Sequence, residues 1–439
     1  MSDQGLRDSD RLEPVAGRDG VWLQDTDTNL MVINGVMVTD RLRVEDLRRV
    51  WHERVMQAGG GDRYHRFRKS IVEHRGRPHW REVENFDLAD HIFEVNDPAL
   101  RTKEGLQEYI GRQASVPLPF DRPPWQLQVI PEFGDGGTVV LSRLHHVLGD
   151  GMALVPVIFS MMDTGGVPVE KAMARQQVKT RGMRGKVWQM GLKASLLGGP
   201  LLAARAVQRP DRSLVHGQEL SGTKKVSWTR PLSLSRIKEA KNKLGATVND
   251  VLMTCIAGGF RHYADGHPEE DIGRLRVSMP VNVRSPSETP KMENKFAAVI
   301  FELPVHLPDL GQRLEETKRR MDALKRSAEP MIYYGAVNVL VKALPQGASR
   351  GLVDFYARKC SAVLTNVPGP RDPLSIAGQD VRSMLFWVPQ RANIGLGISI
   401  FSFSDEVRIG IISDVAVVAE PDDLVAEIEA ELERLYAHG

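Results

Sequence analysis

A paired histidine directly after an apolar segment constrains this chain more than any other feature. The run LHHVLGDG starts at residue 144, and residues 138–143 before it have the composition of a β-strand. His145 and His146 therefore stand where a strand leaves a sheet, and the glycines on either side of Asp150 allow a tight turn. Because a histidine titrates near neutral pH, we expect this loop to hold a base against a cavity, where it can take a proton from a hydroxyl group.

The length of 439 residues implies more than one domain, because single cores usually stop growing at about 250 to 300 residues. We predict an α/β (α+β) fold of two mixed-sheet domains, residues 1–170 and 216–439, joined by a crossover linker of residues 171–215. An active site at the interface is expected, since pockets form readily between domains.

Both halves alternate strand-like and helix-like segments. Strands are predicted at residues 30–38, 127–130, 138–144, 224–228, 275–281, 296–305, 361–366, 394–403 and 407–412. Helices are predicted at residues 43–57, 235–244, 247–263, 310–324 and 422–437. This pattern favours two halves of similar architecture.

The predicted linker is basic and amphipathic. Between residues 171 and 213 it carries ten lysines and arginines against one acidic residue, Asp211, with apolar side chains interleaved. One interpretation is an interfacial helix attracted to anionic lipid headgroups on a membrane or a lipid droplet. The other is a solvated crossover whose long cationic side chains cover apolar surface. The sequence leaves both open.

Composition excludes several classes of protein. A net charge of +2 gives no basis for nucleic-acid binding, and two cysteines, Cys255 and Cys360, provide neither a disulfide framework nor a thiolate metal site. A metal site near His145 and His146 would need a third ligand, and the sequence has no second cluster to supply it. The polar N-terminus and the short apolar runs predict a cytoplasmic protein without a transmembrane helix.

A competing nucleophile is present at Ser349. Residues 347–351 read GASRG and match the G-x-S-x-G elbow of α/β-hydrolases, which has meaning only between a core strand and a helix. The preceding Leu344-Pro345-Gln346 is a poor end for a central strand. We therefore do not expect Ser349 to be a nucleophile.

Several motifs together carry a family resemblance. His145, His146, Asp150 and Gly151 resemble the HHxxxDG motif of the bacterial wax ester synthase/diacylglycerol acyltransferase family, which is similar to the wider CoA-dependent acyltransferases with HxxxD. Further matches, spread widely along the chain, are Asn249-Asp250 with the ND motif and residues 366–370 with the NVPGP motif.

The chain departs from the family in two places. Pro123-Pro124-Trp125 stands where the family has PLW, and the residues around Glu13 lack its leucine-serine-proline opening. These departures concern acceptor preference more than the fold.

The resemblance implies two chloramphenicol-acetyltransferase-like halves with a tunnel between them. It also implies acyl-CoA as a co-substrate with no further cofactor, and a long-chain alcohol or diacylglycerol as acceptor. In this scheme His146 is the general base, His145 orients the loop, and Asn249 is among the amides that stabilise the oxyanion. A thioester is already activated, so no acyl-enzyme is required.

The other matched residues also have simpler interpretations, which we favour. Asp250 has the spacing from Thr247 of a capping box. Asn366 belongs to a run that is typical of a rigid turn, and Trp125 is typical of a core. Asp150 stays with His145 and His146 among the catalytic candidates, and it could act through a hydrogen bond or salt bridge that fixes the turn.

Two alternative functions stay open at this point. The related condensation and polyketide-associated acyltransferases use the same kind of histidine on a polyketide alcohol or an amine. A lipid-binding scaffold with a degenerate loop would bind acyl chains yet release no CoA.

Overall fold

The structure is a computed structural model that describes residues 12–163, 198–211, 213–266, 272–285, 288, 291–343 and 346–438. Its β-strands are β1 (Glu13–Pro14), β2 (Val32–Thr39), β3 (Lys69–His74), β4 (Arg77–Glu82), β5 (Ile92–Glu94), β6 (Trp125–Phe133), β7 (Gly137–His145), β8 (Lys224–Trp228), β9 (Leu232–Ser233), β10 (Leu275–Asn282), β11 (Phe296–Leu303), β12 (Ala362–Pro368), β13 (Ser375–Ile376), β14 (Gln379–Trp387), β15 (Leu396–Phe403) and β16 (Glu406–Asp414). Its α-helices are α1 (Gly17–Gly20), α2 (Val44–Trp51), α3 (Lys103–Ala114), α4 (Gly151–Met161), α5 (198–207), α6 (Leu234–Lys243), α7 (Val248–Asp265), α8 (Leu310–Arg326), α9 (Glu329–Ala343), α10 (Gln346–Ala357) and α11 (Pro421–His438).

The N-terminal sheet has the strand order β13-β14-β2-β7-β6-β5. Its centre is antiparallel: β7 lies between β2 and β6, with Val32 of β2 opposite His145 at the end of β7. The strand β7 is almost wholly buried, which matches its β-branched and apolar sequence. This sheet therefore delivers the chain into the histidine loop from a rigid position.

The C-terminal sheet has the strand order β11-β10-β12-β15-β16-β8, with β9 also paired to β16. Here β12 lies parallel to both β10 and β15, whereas the outer pairs are antiparallel. Helices α7 and α11 cover the sheet, and their buried side chains, such as Ile256 and Ile428, share one core with Ile398 of β15. A small third sheet of β1, β4 and β3 lies beside the N-terminal half.

A separate core joins the two large sheets. Leu141 and Leu385 of the N-terminal sheet pack in one cluster with Trp228 and Ile412 of the C-terminal sheet and with Ile110 of α3. At about 1.5 to 3 kcal/mol for each fully buried large apolar side chain, this cluster is a substantial part of what holds the halves together. The mixed α/β fold with two sheet-rich halves was thus predicted correctly.

One strand crosses between the halves in a way that the sequence analysis missed. Residues of β14, from the C-terminal half of the chain, pair antiparallel with β2 of the N-terminal sheet, with Leu385 opposite Val36. The predicted boundaries near residues 170 and 215 stay a prediction, but β13 and β14 belong structurally to the first sheet. Most of the predicted crossover, residues 171–197, lies outside the described residues.

None of the helices in the described ranges combines the length and hydropathy needed to cross a membrane.

Candidate active site

The loop after β7 is held by the side chain of its first histidine. His145 is 1% exposed; its Nδ1 accepts a hydrogen bond from the Val147 N–H at 3.2 Å, and its Nε2 donates to Oδ2 of Asp25 at 2.9 Å. The accepting Nδ1 fixes the tautomer, so the proton lies on Nε2. With both ring nitrogens engaged in this way, His145 is a part of the loop's framework.

The second histidine lies one residue further on, in a short 3-10 turn, His146–Leu148. Its backbone N–H donates to the Met31 carbonyl at 2.7 Å, which ties the turn to the N-terminal segment. Its imidazole is stacked on the indole of Trp22, with ring centroids 4.0 Å apart and planes 14° from parallel, and Phe296 lies at 5.9 Å. Since Trp22 and Phe296 are themselves 5.6 Å apart, the imidazole packs in a cluster of three rings drawn from both halves of the chain.

Burial lowers the pKa of His146 to about 4, because a desolvated imidazolium is unfavourable. The negative charge of Asp150, the carbonyl of His146 itself and the side chain of Asn294 each raise the pKa, but not enough to offset burial. At neutral pH the imidazole is uncharged. A neutral imidazole is the form that can accept a proton.

Asp150 fixes the turn that follows. Its Oδ1 accepts from the Ala153 N–H at 2.9 Å and so caps the N-terminus of α4. Its Oδ2 accepts from a guanidinium N–H of Arg284 and from the Lys295 N–H, each at 2.8 Å. Because the hydrogen bonds recorded for both oxygens go to these groups, we assign Asp150 to positioning the loop rather than to direct contact with His146.

His146 opens onto a cavity of about 1880 Å³. The walls are mainly apolar side chains from both large sheets and from helices α4, α9 and α10. Polar groups are fewer, and among them are His146, Asp150, Arg284 and Asn249. The predicted base is therefore accessible from an apolar chamber; whether the chamber is a through-going tunnel stays a prediction.

The ND and NVPGP segments meet at this cavity. The Asn366 side-chain N–H, on β12, donates to Oδ1 of Asn249, in the first turn of α7, at 3.0 Å, and both residues line the chamber. Asp250 forms a capping box: its Oδ2 accepts from the Thr247 N–H, and its own N–H donates to Thr247 Oγ1. Asp250 is buried and absent from the cavity wall, so its place in the structure is the start of α7.

Two glycines of the motifs allow close packing around the loop. A Cβ on Gly151, the first residue of α4, would lie 3.3 Å from Cγ2 of Val367. A Cβ on Gly369 would lie 2.2 Å from the Ser402 carbonyl oxygen, which no side chain can occupy. The HHxxxDG and NVPGP segments are therefore in direct contact.

Trp125, a supporting or substrate-binding candidate for which the sequence favours a place in the core, lies in the core of the structure. Its indole is 1% exposed, donates to the Phe67 carbonyl at 2.9 Å and is stacked on Trp51 at 4.7 Å. Trp51 lines the chamber, whereas Trp125 does not. The tryptophan of the altered PLW segment supports the wall from behind.

The alternative nucleophiles lie in helices. Ser349 is buried within α10, and the described residues ahead of α10 form the helix α9 rather than a strand, so the elbow geometry of a hydrolase is not formed there. Cys255 is buried within α7, where burial raises the pKa of its thiol. Among the residues that the structure describes, no three His, Cys, Asp or Glu side chains are grouped so that they could hold a metal ion.

Three residues of the site escaped the sequence analysis. Trp22, Arg284 and Asn294 contact the loop residues His146 and Asp150, but each belongs to a segment without a recognisable motif. For Arg284 and Asn294 the contacts bridge more than 130 positions of the chain, which periodicity does not reveal.

The two large sheets share a core, and the histidine loop opens on a chamber that is lined by both of them. The sequence model of the wax ester synthase/diacylglycerol acyltransferase catalytic domain matches residues 21–200, and that of the WS/DGAT C-terminal domain matches residues 292–436. Together they cover about three quarters of the chain. The chain belongs to the wax ester synthase/diacylglycerol acyltransferase family.

Individual relatives agree. The chain is 27% identical over 381 residues to a probable diacylglycerol O-acyltransferase of Mycobacterium tuberculosis, covering 82% of each sequence. Its fold is similar to that of a wax ester synthase/diacylglycerol acyltransferase from Marinobacter aquaeolei VT8, with a TM-score of 0.71 at 20% identity, covering 97% of this chain and 99% of the other. The first condensation domain of the calcium-dependent antibiotic synthetase has the same fold at 16% identity, with a TM-score of 0.62 over 98% and 96% of the two chains.

Proposed function

We propose that this protein transfers a fatty acyl group from acyl-CoA to the hydroxyl of a long-chain alcohol or a diacylglycerol. The observation that carries the proposal is a neutral imidazole, that of His146, in the wall of a large and mainly apolar chamber. Family membership supports both the donor and the acceptor class.

The reaction needs one base and no covalent intermediate with the enzyme. The imidazole of His146 accepts the hydroxyl proton as the alcohol oxygen forms a bond to the thioester carbonyl carbon. The tetrahedral intermediate collapses, its carbon–sulfur bond breaks, and the imidazolium returns the proton to the departing CoA thiolate. The products are the ester and free CoA, and the imidazole is again neutral.

Amide N–H groups in the chamber would stabilise the oxyanion of that intermediate. The side-chain amide of Asn249 is the candidate, because Asn366 binds its oxygen and thereby leaves its nitrogen on the opposite side. The recorded contact of that nitrogen is a 4.0 Å approach to the Met321 sulfur, a weak acceptor. Met321 belongs to the core and not to the chamber wall, so this role requires the amide of Asn249 to turn its nitrogen toward the chamber when the acyl donor binds.

The acceptor class is tested by offering radiolabelled palmitoyl-CoA with hexadecanol, with dipalmitoylglycerol and with hexadecylamine. We expect CoA release and labelled ester with either alcohol, and no amide above background. Preference for the amine would favour the condensation type of reaction. Binding of the acyl chain without CoA release would favour a scaffold, and either result would reject the proposal.

Peripheral contact with a lipid surface is the second part of the proposal. Helices α5, α9 and α10 contribute to the chamber wall, and they also carry the exposed apolar side chains of Val207, Val339 and Phe355. The helices are joined: the Tyr356 hydroxyl of α10 donates to the Leu202 carbonyl of α5 at 3.0 Å. An apolar surface continuous with the chamber wall would let lipid acceptors enter without crossing water.

Vesicle sedimentation tests this contact. Changing Val207, Val339 and Phe355 together to serine should weaken binding to vesicles that contain phosphatidylglycerol. Val116, exposed to 46% elsewhere on the surface, supplies the matched control as Val116→Ser. Equal binding of the triple variant and the control would show that this face is not the contact. The basic composition of residues 171–212 further predicts weaker binding at high salt.

A further inference from the structure

Asn294, which lies just before β11, is hydrogen-bonded to the histidine loop. It is 4% exposed, and its side-chain nitrogen donates to the His146 carbonyl at 2.9 Å and to Oδ1 of Asp19 at 3.0 Å. Both partners only accept hydrogen bonds, so the nitrogen of the amide must be on that side. The backbone N–H of Asn294 also donates to Asp19, at 2.8 Å. The direction of the amide oxygen is thereby fixed.

Asp19 is itself held in place by a cation. Arg66 donates to its Oδ2 at 2.8 Å and also to the carbonyls of Val147 and Leu148, each at 3.2 Å. Asp19 is fully buried, and the Arg66 side chain is 11% exposed. One guanidinium therefore fixes both the histidine loop and the carboxylate that orients Asn294.

Two buried polar atoms at this place have no hydrogen-bond partner among the described residues: Oδ1 of Asn294 and Nδ1 of His146. The first is only an acceptor, and the second is a donor in one of the two neutral tautomers. A buried polar atom without a partner is destabilising, so a hydrogen bond between the two would satisfy both atoms. The carbonyl of His146 itself and the Asn294 side chain each raise the pKa of the imidazole, so both are acceptors within its reach.

We propose that Asn294 is a positioning residue whose side-chain oxygen accepts the Nδ1–H of His146 and so keeps the lone pair on Nε2, toward the substrate hydroxyl. Catalytic hydrogen bonds are often long in the empty site and tighten when substrate is bound. The inference rests on the proposed function, because the tautomer matters only if His146 is the base.

The tautomer can be measured in the unaltered protein. With ¹⁵N-labelled histidine, nitrogen chemical shifts and two-bond couplings distinguish protonated from bare ring nitrogens, and His146→Gln assigns the signals among the twelve histidines. We expect Nδ1 to be protonated and Nε2 to be bare at pH 7. A protonated Nε2 in the folded protein overturns the inference, whether or not any variant at position 294 folds.

Two substitutions separate positioning from mere support. Asn294→Ala removes the acceptor, so we expect mixed tautomers, a lower pKa for His146 and a kcat about a hundredfold lower with little change in KM. Asn294→Asp loses the two donated hydrogen bonds and is destabilised beside Asp19, but in the folded variant it keeps an acceptor and adds negative charge, so Nδ1 stays protonated and the pKa of His146 rises. If Asn294 only supports the loop, the two variants should shift the pKa of His146 in the same direction or leave it unchanged. That result would contradict the inference.

Failure of the proposed function looks different from failure of this inference. If the wild-type protein releases no CoA with any acceptor, the proposed function fails, whatever the tautomer. If it is active and Nε2 carries the proton, only the role of Asn294 is lost.

Discussion

Replacing His146 with alanine is expected to lower ester formation at least a hundredfold without unfolding the protein. General-base catalysis by a side chain contributes about 10² to 10⁴ in rate, and alanine removes the base while leaving acyl-CoA and alcohol in the chamber. The backbone groups of His146 hold the turn, so the turn stays in place when the imidazole is removed. CoA release, measured with a thiol reagent, and the melting temperature give the two readings.

Ser349 provides the control for this experiment. It is the serine that the sequence offers as a competing nucleophile, and it lies buried in α10. Ser349→Ala should be nearly silent in rate. A loss comparable with that of His146→Ala would reverse the assignment of the catalytic group.

The pH dependence of the same reaction supplies a check on the environment of His146. An ordinary histidine base would lose kcat/KM below about pH 6.5. With a pKa lowered to about 4, the base stays unprotonated, so its titration should leave kcat/KM flat from pH 8 to about pH 5. The stability of the fold, unlike kcat/KM, should depend on pH in this range. His146 takes up a proton more readily in the unfolded chain, so the free energy of unfolding falls as the pH drops from about 6.5 toward 4.

Replacing Asp150 with asparagine is expected to lower the free energy of unfolding by about 3 to 5 kcal/mol, the usual cost of removing one partner from a buried ion pair. The Asp150 and Arg284 side chains are 7% and 3% exposed, so the guanidinium would be left charged and without its carboxylate. Asparagine can still cap α4, so the loss reports on the ion pair. Urea denaturation measures the change, and kcat should fall with it because the histidine loop loses its anchor on the C-terminal half.

An exposed ion pair gives the matched comparison. Arg112 and Glu108 on α3 are 56% and 72% exposed, and Arg112→Gln should cost less than about 1 kcal/mol. If Asp150→Asn costs no more than this surface variant, the Asp150–Arg284 pair does not hold the loop.

Features specified by neighbouring residues could be predicted from the sequence. The strand before the histidines and the capping box of Thr247 and Asp250 both depend on contacts within a few positions. The family motifs further identified which loop would carry the base. Their mutual contact, through Gly151 and Val367, follows only from the fold.

Features specified by distant residues could not be predicted. No local motif marks Asn294 or Arg284. They reach the histidine loop in the other half of the chain only because β10 and β11 place them there. The strand β14 was missed for a related reason: its last residues, Met384 to Trp387, are continuously apolar, because this part of the strand is buried on both faces, and they show no alternation. Trp22 was missed because its contact, the stacking of its indole on the imidazole of His146, is with a residue far along the chain.

The late position of β14 in the sequence has a consequence for folding during synthesis on the ribosome. Its partner β2 is synthesised early, yet Trp387 follows the end of β7 by roughly 240 residues, which takes on the order of tens of seconds at the usual speed of translation. During that interval the outer edge of β2 offers unpaired peptide groups to any other strand in the cell. This interval is when a growing chain of this kind is most exposed to wrong pairing, and when shielding by a chaperone matters most.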